Sequence, residues 1–169
     1  MWAAQHYQFK NANSWLSSGG SGTMGYEVPS AIGAQVGNPD SLVWSICGDG
    51  GFQMTMMELA TAAENGLPVK YAILNNNHLG MITQWQAFFY NEDYQAETYS
   101  GNPDFVKLAE AYGIKGIRVT KQDELESAIN EANNHDGPVV VDFVIEKVDD
   151  VYPMIPAGQS IEELIEEPN

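Results

Sequence analysis

The sequence predicts an α/β protein built on a parallel sheet with helices on both faces. Three observations predict it: short apolar runs bounded by glycines and polar turns, helix-period segments between those runs, and polar, glycine-bearing turns at the carboxyl ends of the first two runs. Strands are expected near residues 42–47, 69–74, 117–119 and 139–145, the last set off by the turn pair Gly137-Pro138. Between the first two, Phe52, Met56, Leu59, Ala60 and Ala63 recur at helical spacing, and Gly66-Leu67-Pro68 stops that helix, making a βαβ unit. A second helix opens at Asn102-Pro103, with the proline in the first turn where its missing N–H does no harm. It buries Phe105, Leu108, Ala109 and Tyr112 and ends at Gly113. A third opens with Thr120 and Asp123 in capping-box spacing and buries Leu125, Ala128, Ile129 and Ala132. Beyond Ile145 the pattern turns irregular through Tyr152-Pro153-Met154-Ile155-Pro156, and Ser160 with Glu163 predicts a short final helix. Residues 1–148 are therefore expected to form one unit, with 149–169 a tail too poor in apolar residues to build its own core, packing on the domain or on a partner.

Composition narrows the function. Seven Lys plus Arg against 23 Asp plus Glu give a formal charge of −16, which repels phosphate backbones and anionic lipid, so nucleic acid is excluded as an expected partner. No stretch approaches 18 uninterrupted apolar residues, and Met1-Trp2-Ala3-Ala4-Gln5-His6 has neither a basic flank nor an apolar run, so neither a membrane partner nor a secretory leader is expected. Cys47 is the only cysteine, which forbids an internal disulfide and favours a reducing compartment. It sits inside an apolar run with no histidine nearby in sequence, as a buried core residue would, and not as a nucleophile.

The chemistry concentrates in Gly48-Asp49-Gly50-Gly51 and Asn75-Asn76-Asn77-His78, which follow the first two expected strands. Ligands of open α/β sheets bind at the carboxyl ends of the strands, where Asp49 and Asn76 would bring a carboxylate and an amide oxygen together. Those are hard ligands, suited to Mg²⁺ or Ca²⁺ and not to zinc. Gly48, Gly50 and Gly51 allow close approach of an anion to the backbone, and the helix that follows turns its unpaired N–H groups toward it. Together they point to a metal-bridged diphosphate. Taken singly, each piece is equally an ordinary strand-to-helix turn or an asparagine-capped loop. A second cluster, Gly20-Ser21-Gly22-Thr23-Met24-Gly25, fits G-x-G-x-x-G ahead of a helix containing Ala31, Ile32, Ala34 and Val36, which on its own suggests a dinucleotide site. Leu79, Met81, Trp85, Phe88 and Phe89 form an apolar stripe that, by spacing alone, is core.

Gly-Asp-Gly followed at this distance by Asn-Asn resembles the signature of thiamine-diphosphate enzymes. The segments Met1-Trp2-Ala3-Ala4-Gln5, Trp15-Leu16-Ser17-Ser18-Gly19-Gly20, Asn75-Asn76-Asn77-His78-Leu79-Gly80-Met81, Gln84-Trp85 and Pro153-Met154-Ile155-Pro156 resemble, in order, the acetolactate synthase family. The resemblance implies a thiamine-diphosphate-binding fold and condensation of pyruvate with a second pyruvate or with 2-ketobutyrate, with loss of CO₂. It further implies Asp49, Asn76 and the backbone carbonyl of His78 as Mg²⁺ ligands, with the Gly50 and Gly51 amides on the diphosphate and Gly48 beside them. The Gly22 carbonyl and the Met24 amide would meet the pyrimidine, the Met24 side chain would hold the cofactor bent, and Gly80 and Met81 would touch it. Trp85 would wall the acceptor pocket, as in FAD-containing biosynthetic members.

The family's essential glutamate lies on a separate domain of a partner subunit and matches no glutamate here. The FAD-binding domain and the Gly-Gln-His-Gln run that helps hold the diphosphate are also missing from this sequence. A fragment of a longer chain, inactive alone, is therefore expected, with a second catalytic subunit in a homodimer or tetramer and a possible regulatory small subunit. The location would be the cytoplasm in a bacterium, or else a plastid or mitochondrion. Glu27 departs from the family pattern, which favours a small residue there, and so does Gln159 after Ala157-Gly158.

Overall fold

The computed structural model describes residues 1–96, 101–146 and 150–167. In it four parallel strands, β1 (Trp44–Gly48), β2 (Lys70–Asn75), β3 (Lys115–Val119) and β4 (Val139–Val144), form a sheet of order β1-β2-β4-β3. Gly48 pairs with Leu74 and Asn75 with Val144, so the carboxyl ends of β1, β2 and β4 lie side by side. Helices α1 (Trp2–His6), α2 (Glu27–Gly37), α3 (Asp49–Thr55), α4 (Leu59–Glu64), α5 (Gly80–Phe89), α6 (Phe105–Ala111) and α7 (Leu125–Asn133) complete the described fold.

The two faces of the sheet are unequally covered. On one, Val28 and Ala31 of α2, Phe52 of α3, Leu59 and Ala62 of α4, and Phe105 and Ala109 of α6 enclose Cys47, Tyr71, Ile73 and Val140. On the other, Ala128 and Ala132 of α7 pack against Ala72, Val119, Val139, Val141 and Phe143. There α7 leaves an apolar groove of about 620 Å³, with Ile46, Leu74 and Val144 along it. Cys47 is buried in the first cluster, as expected, and burial pushes its thiol up to about 12.

Several elements differ from the sequence pattern. The helix expected after β1 is interrupted by a 3₁₀ turn at Met56–Glu58, and Ala62 replaces Ala60 in the core while Ala60 is exposed. The proline of Asn102-Pro103 stands outside α6. Asp104 is the N-cap, its carboxylate accepting from the Val106 and Lys107 amides at 3.2 Å each. Ahead of α7, Glu124 and not Asp123 closes the cap, its Oε2 accepting from the Thr120 and Lys121 amides at 2.9 and 3.1 Å. Ala128 and Ala132 of α7 are buried against the sheet, whereas Leu125 and Ile129 line the open apolar groove beside it and stay partly exposed. Strand β3 begins earlier than the apolar pattern, at Lys115 and Gly116. A Cβ on Gly116 would stand 2.9 Å from Val106 Cα, and this close approach of α6 is what the glycine permits.

The expected final helix is a single 3₁₀ turn, Ile161–Glu163, capped reciprocally by Ser160 and Glu163. The tail doubles back through backbone bonds between Met154 and Ile165 and is clamped by Gln84. That side chain donates to Val151 O and accepts from Val151 N, both at 2.9 Å. The expected division after residue 148 lies outside the described residues.

Candidate functional site

Asp49 is the first residue of α3 and Asn76 follows β2, so the parallel pairing of β1 with β2 sets the two turns at one end of the sheet. Asp49 is only 2% exposed. Its Oδ1 accepts from the Gly50 amide at 2.9 Å, and its Oδ2 accepts from Asn102 Nδ2 at 2.7 Å. Asn102 Nδ2 also donates to Asn75 Oδ1 at 3.1 Å, and Asn102 Oδ1 accepts from Gln53 Nε2 at 2.8 Å. Asn75 Nδ2 donates to Asp142 Oδ1 at 2.9 Å, and Arg118 Nε donates to Asp142 Oδ2 at 3.1 Å. The network opens onto a cleft of about 610 Å³, lined by Asn75, Asn76, Asn102, Asp104, Arg118 and Asp142 among others.

Two carboxylates are thus buried at this end of the sheet, and they are compensated differently. Asp142, 1% exposed, is ion-paired with Arg118. The Arg118 guanidinium is held above its usual value, first by its hydrogen bond to Asp104 and then by that to Asp142, while Arg118 pulls the Asp104 carboxyl below the usual range. Asp49 has amide donors but, among the described residues, no cationic side chain within ion-pair distance. A buried carboxylate without a cation is costly unless it is paired or ligates a metal. Asp49 therefore fits the donor set a divalent ion requires. No described cluster of three His, Cys, Asp or Glu side chains could hold a metal, so an ion beside Asp49 must draw on amide and backbone oxygens.

The glycine clusters meet each other. Gly25 has φ +82°, and a Cβ there would lie 3.0 Å from Met54 Cβ and Thr55 Cγ2 and 3.3 Å from Gly51 O. Thr55 Oγ1 donates to Gly25 O at 2.8 Å. The turn carrying Gly22 and Met24 is thereby docked on the helix carrying Gly50 and Gly51. No strand precedes Gly20–Gly25 among the described residues, so the dinucleotide interpretation of that cluster lacks its strand-turn-helix setting. Gly22 has φ +60° and is exposed, and Met24 is exposed beside it. Space above Gly48 is open, whereas a Cβ on Gly51 would meet Glu27 Oε1 at 2.9 Å. Glu27 thus occupies the side of Gly51 that the sequence left free, and among the described residues its buried Oε2 has no hydrogen-bond partner.

The loop after β2 turns at Asn77, φ +58°, and buries the His78 ring, whose Nε2 lies 2.5 Å from Thr83 Oγ1. A loop histidine of this kind reads from sequence as a surface residue, and Thr83, one turn into α5, is what draws it inward. Gly80 opens α5 and Met81 follows, half-buried. The apolar stripe of α5 is not core. Neither sheet cluster contains an α5 residue, and the helix buries Thr83 and Gln84 instead. Trp85 is 37% exposed, edge-on to Phe89 at 5.5 Å, and Phe88 contacts Tyr152 of the tail at 5.8 Å. Sequence patterning gave Gln53, Arg118 and Asp142 no role, named Asn75 only as part of the asparagine run and read Asn102 only as a helix start. Only the acidic residue inside the apolar run of β4 gave a local signal.

Residues 1–143 match the thiamine pyrophosphate enzyme, C-terminal TPP binding domain. The chain belongs to that family. It is 50% identical over 165 residues to the mitochondrial acetolactate synthase catalytic subunit of Saccharomyces cerevisiae, covering 98% of this chain and 24% of that protein. It is 42% identical over 166 residues to the acetolactate synthase isozyme 2 large subunit of Escherichia coli, covering 98% and 30%. The chain therefore spans about a quarter of the length of these relatives. A thiamine diphosphate-dependent 4-hydroxybenzoylformate decarboxylase of Rhodococcus jostii RHA1 superposes with a TM-score of 0.71 at 32% identity, over 76% of this chain and 24% of that one. Among the described residues no helix is long and apolar enough to cross a membrane.

Proposed function

We propose that this chain is the cofactor-binding domain of an acetolactate synthase catalytic subunit. The complete enzyme would condense pyruvate with pyruvate or 2-ketobutyrate, releasing CO₂, in branched-chain amino acid biosynthesis. One observation carries the site: Asp49 is a buried carboxylate with no cationic neighbour among the described residues, at the strand end beside the asparagine loop. Similarity to acetolactate synthases along nearly the whole chain supports the reaction.

In this reading Asp49 and Asn76 would give side-chain oxygens, and His78 its carbonyl, to a Mg²⁺ that would anchor the diphosphate of thiamine diphosphate. Gly48 and Gly51 would face the diphosphate through their backbone, while the Gly50 amide, expected there as well, donates instead to Asp49 Oδ1. The Gly22 carbonyl and Met24 amide would meet the pyrimidine, the Met24 side chain would set how the cofactor is held, and Gly80 and Met81 would line its surroundings. When bound, thiamine diphosphate supplies the reactive carbon and the electron sink for decarboxylation. The protein's share is to orient, to exclude water and to shape the acceptor pocket, where Trp85 forms a wall. FAD belongs to the complete enzyme and not to this domain.

The essential glutamate comes from a second catalytic subunit of a dimer or tetramer, with a regulatory small subunit as a further partner. The enzyme works in the cytoplasm of a bacterium, or in a plastid or mitochondrion.

Calorimetric titration of the natural polypeptide with thiamine diphosphate and Mg²⁺ tests the site, with Asp49→Ala as control. Heat from the wild type and none from the variant is expected, and no heat from either refutes it. Likeness to a benzoylformate-type decarboxylase favours a second reading, a 2-keto acid decarboxylase. Pyruvate turnover separates the two: acetolactate as product supports the synthase, and free aldehyde supports the decarboxylase.

A further inference from the structure

We propose that Asn102 is a positioning residue for the Asp49 carboxylate, setting which lone pairs of that group face a divalent cation. The proposal rests on the metal-site reading above and deepens it.

The orientation of every amide in the network follows from its ends. Asp142 is paired with Arg118 and, when ionised, can only accept, so Asn75 must turn its Nδ2 toward it. That leaves Asn75 Oδ1 facing Asn102, which must answer with Nδ2. The same nitrogen then directs its second hydrogen to Asp49 Oδ2, and Asn102 Oδ1 is left to accept from Gln53. Both hydrogens of the Asn102 amide are committed, one to each neighbour, so the group has no alternative rotamer that keeps its bonds. Asp49 Oδ1 is held separately by the Gly50 amide. Each carboxylate oxygen accepts one fixed bond and keeps a further lone pair, all four directions being set by the protein. A metal-ligating carboxylate held in this way arrives oriented, and the ordering entropy is met on folding and not on cation binding.

Asn102 also joins two distant parts of the fold. It precedes α6, whereas Asp49 opens α3, and the bond between them crosses 53 positions of sequence. Through Asn75 and Asp142 the same amide connects Asp49 to Arg118 on β3, which in turn holds Asp104, the N-cap of α6. The segment that carries Asn102 is therefore anchored at the amide itself and again two residues later, at Asp104.

The test uses the natural polypeptide with thiamine diphosphate at a fixed saturating concentration, and reads the apparent Mg²⁺ affinity from tryptophan fluorescence and calorimetry. Asn102→Ala is expected to weaken Mg²⁺ binding by about 10–100-fold, the range typical of groups that orient a metal ligand. Excess Mg²⁺ should restore both cofactor saturation and kcat, a split that a merely damaged fold would not produce. Gln53→Leu, which removes the donor behind Asn102 together with its longer bond to Asp49 O at 3.3 Å and leaves both carboxylate oxygens of Asp49 with their donors, should weaken Mg²⁺ in the same direction by less. It also carries the test if Asn102→Ala fails to fold by circular dichroism. Mg²⁺ affinity within about twofold of wild type in Asn102→Ala, with Asp49→Ala abolishing the Mg²⁺ response, overturns the role of Asn102 while leaving the metal site standing. An Asp49→Ala variant that keeps the wild-type Mg²⁺ response overturns the metal site itself.

Discussion

Replacing Gly25 with alanine tests whether the two glycine turns are pressed together as tightly as the structure has them. The residue has φ +82°, where an L side chain costs about 1–2 kcal/mol. The new Cβ would also lie 3.0 Å from both Met54 Cβ and Thr55 Cγ2 and 3.3 Å from Gly51 O, a backbone atom that cannot swing away. Overpacking of this kind costs about 1–3 kcal/mol. The two contributions sum to about 2–5 kcal/mol of destabilisation. The control is Gly33→Ala, inside α2 with nothing within 4 Å of its Cβ, where alanine should stabilise by about 0.5–1 kcal/mol. Urea unfolding followed by far-ultraviolet circular dichroism reads both, and the midpoints should move in opposite directions from wild type. With an m-value of about 1–3 kcal/mol/M, the Gly25 variant should fall by an amount on the order of 1–2 M. If Gly25→Ala unfolds at the wild-type midpoint, or both variants move together, the turn carrying Gly22 and Met24 is not docked on α3 and its place beside Asp49 is lost.

Two other outcomes follow from buried groups. Lys70 is 1% exposed, its Nζ donating to His135 O and Gly137 O, and burial lowers its ammonium below the usual lysine value. Between the lowered folded value and the ordinary unfolded one the unfolded chain binds more protons at Lys70, so its contribution to stability should rise with pH there. Burial raises the Cys47 thiol and the Tyr71 hydroxyl, which act in the opposite sense over the same window, so the Lys70 contribution is read as a difference: the slope of denaturant midpoint against pH should be more negative in Lys70→Met than in wild type. Cys47, its thiol raised to about 12 by burial, should resist a disulfide reagent at pH 8 in the folded protein and react stoichiometrically once urea unfolds it. Rapid native-state labelling would refute the closed core around β1.

Sequence alone determined the parallel α/β class, the four strands to within a few residues, the burial of Cys47 and the placing of Asp49 and Asn76 after neighbouring strands. Those features rest on local information. Apolar runs, glycine and proline punctuation and strand-to-helix turns are each written within a few consecutive residues. Tertiary structure decided the rest. Asn102 looked like a helix-starting asparagine, and its two bonds to Asp49 and Asn75 exist only because α6 packs under the sheet. Gln84 looked like one polar position in an apolar stripe, yet it is buried against Val151, while Trp85 and Phe89 beside it stay exposed. Glu27 stood out as a departure from pattern, but its position over Gly51 could be seen only once α2 and α3 were side by side. The difference is physical. A hydrophobic period reports which way a residue faces on its own element, whereas a polar side chain's partner is set by whichever distant backbone or amide the fold brings within 3 Å or so.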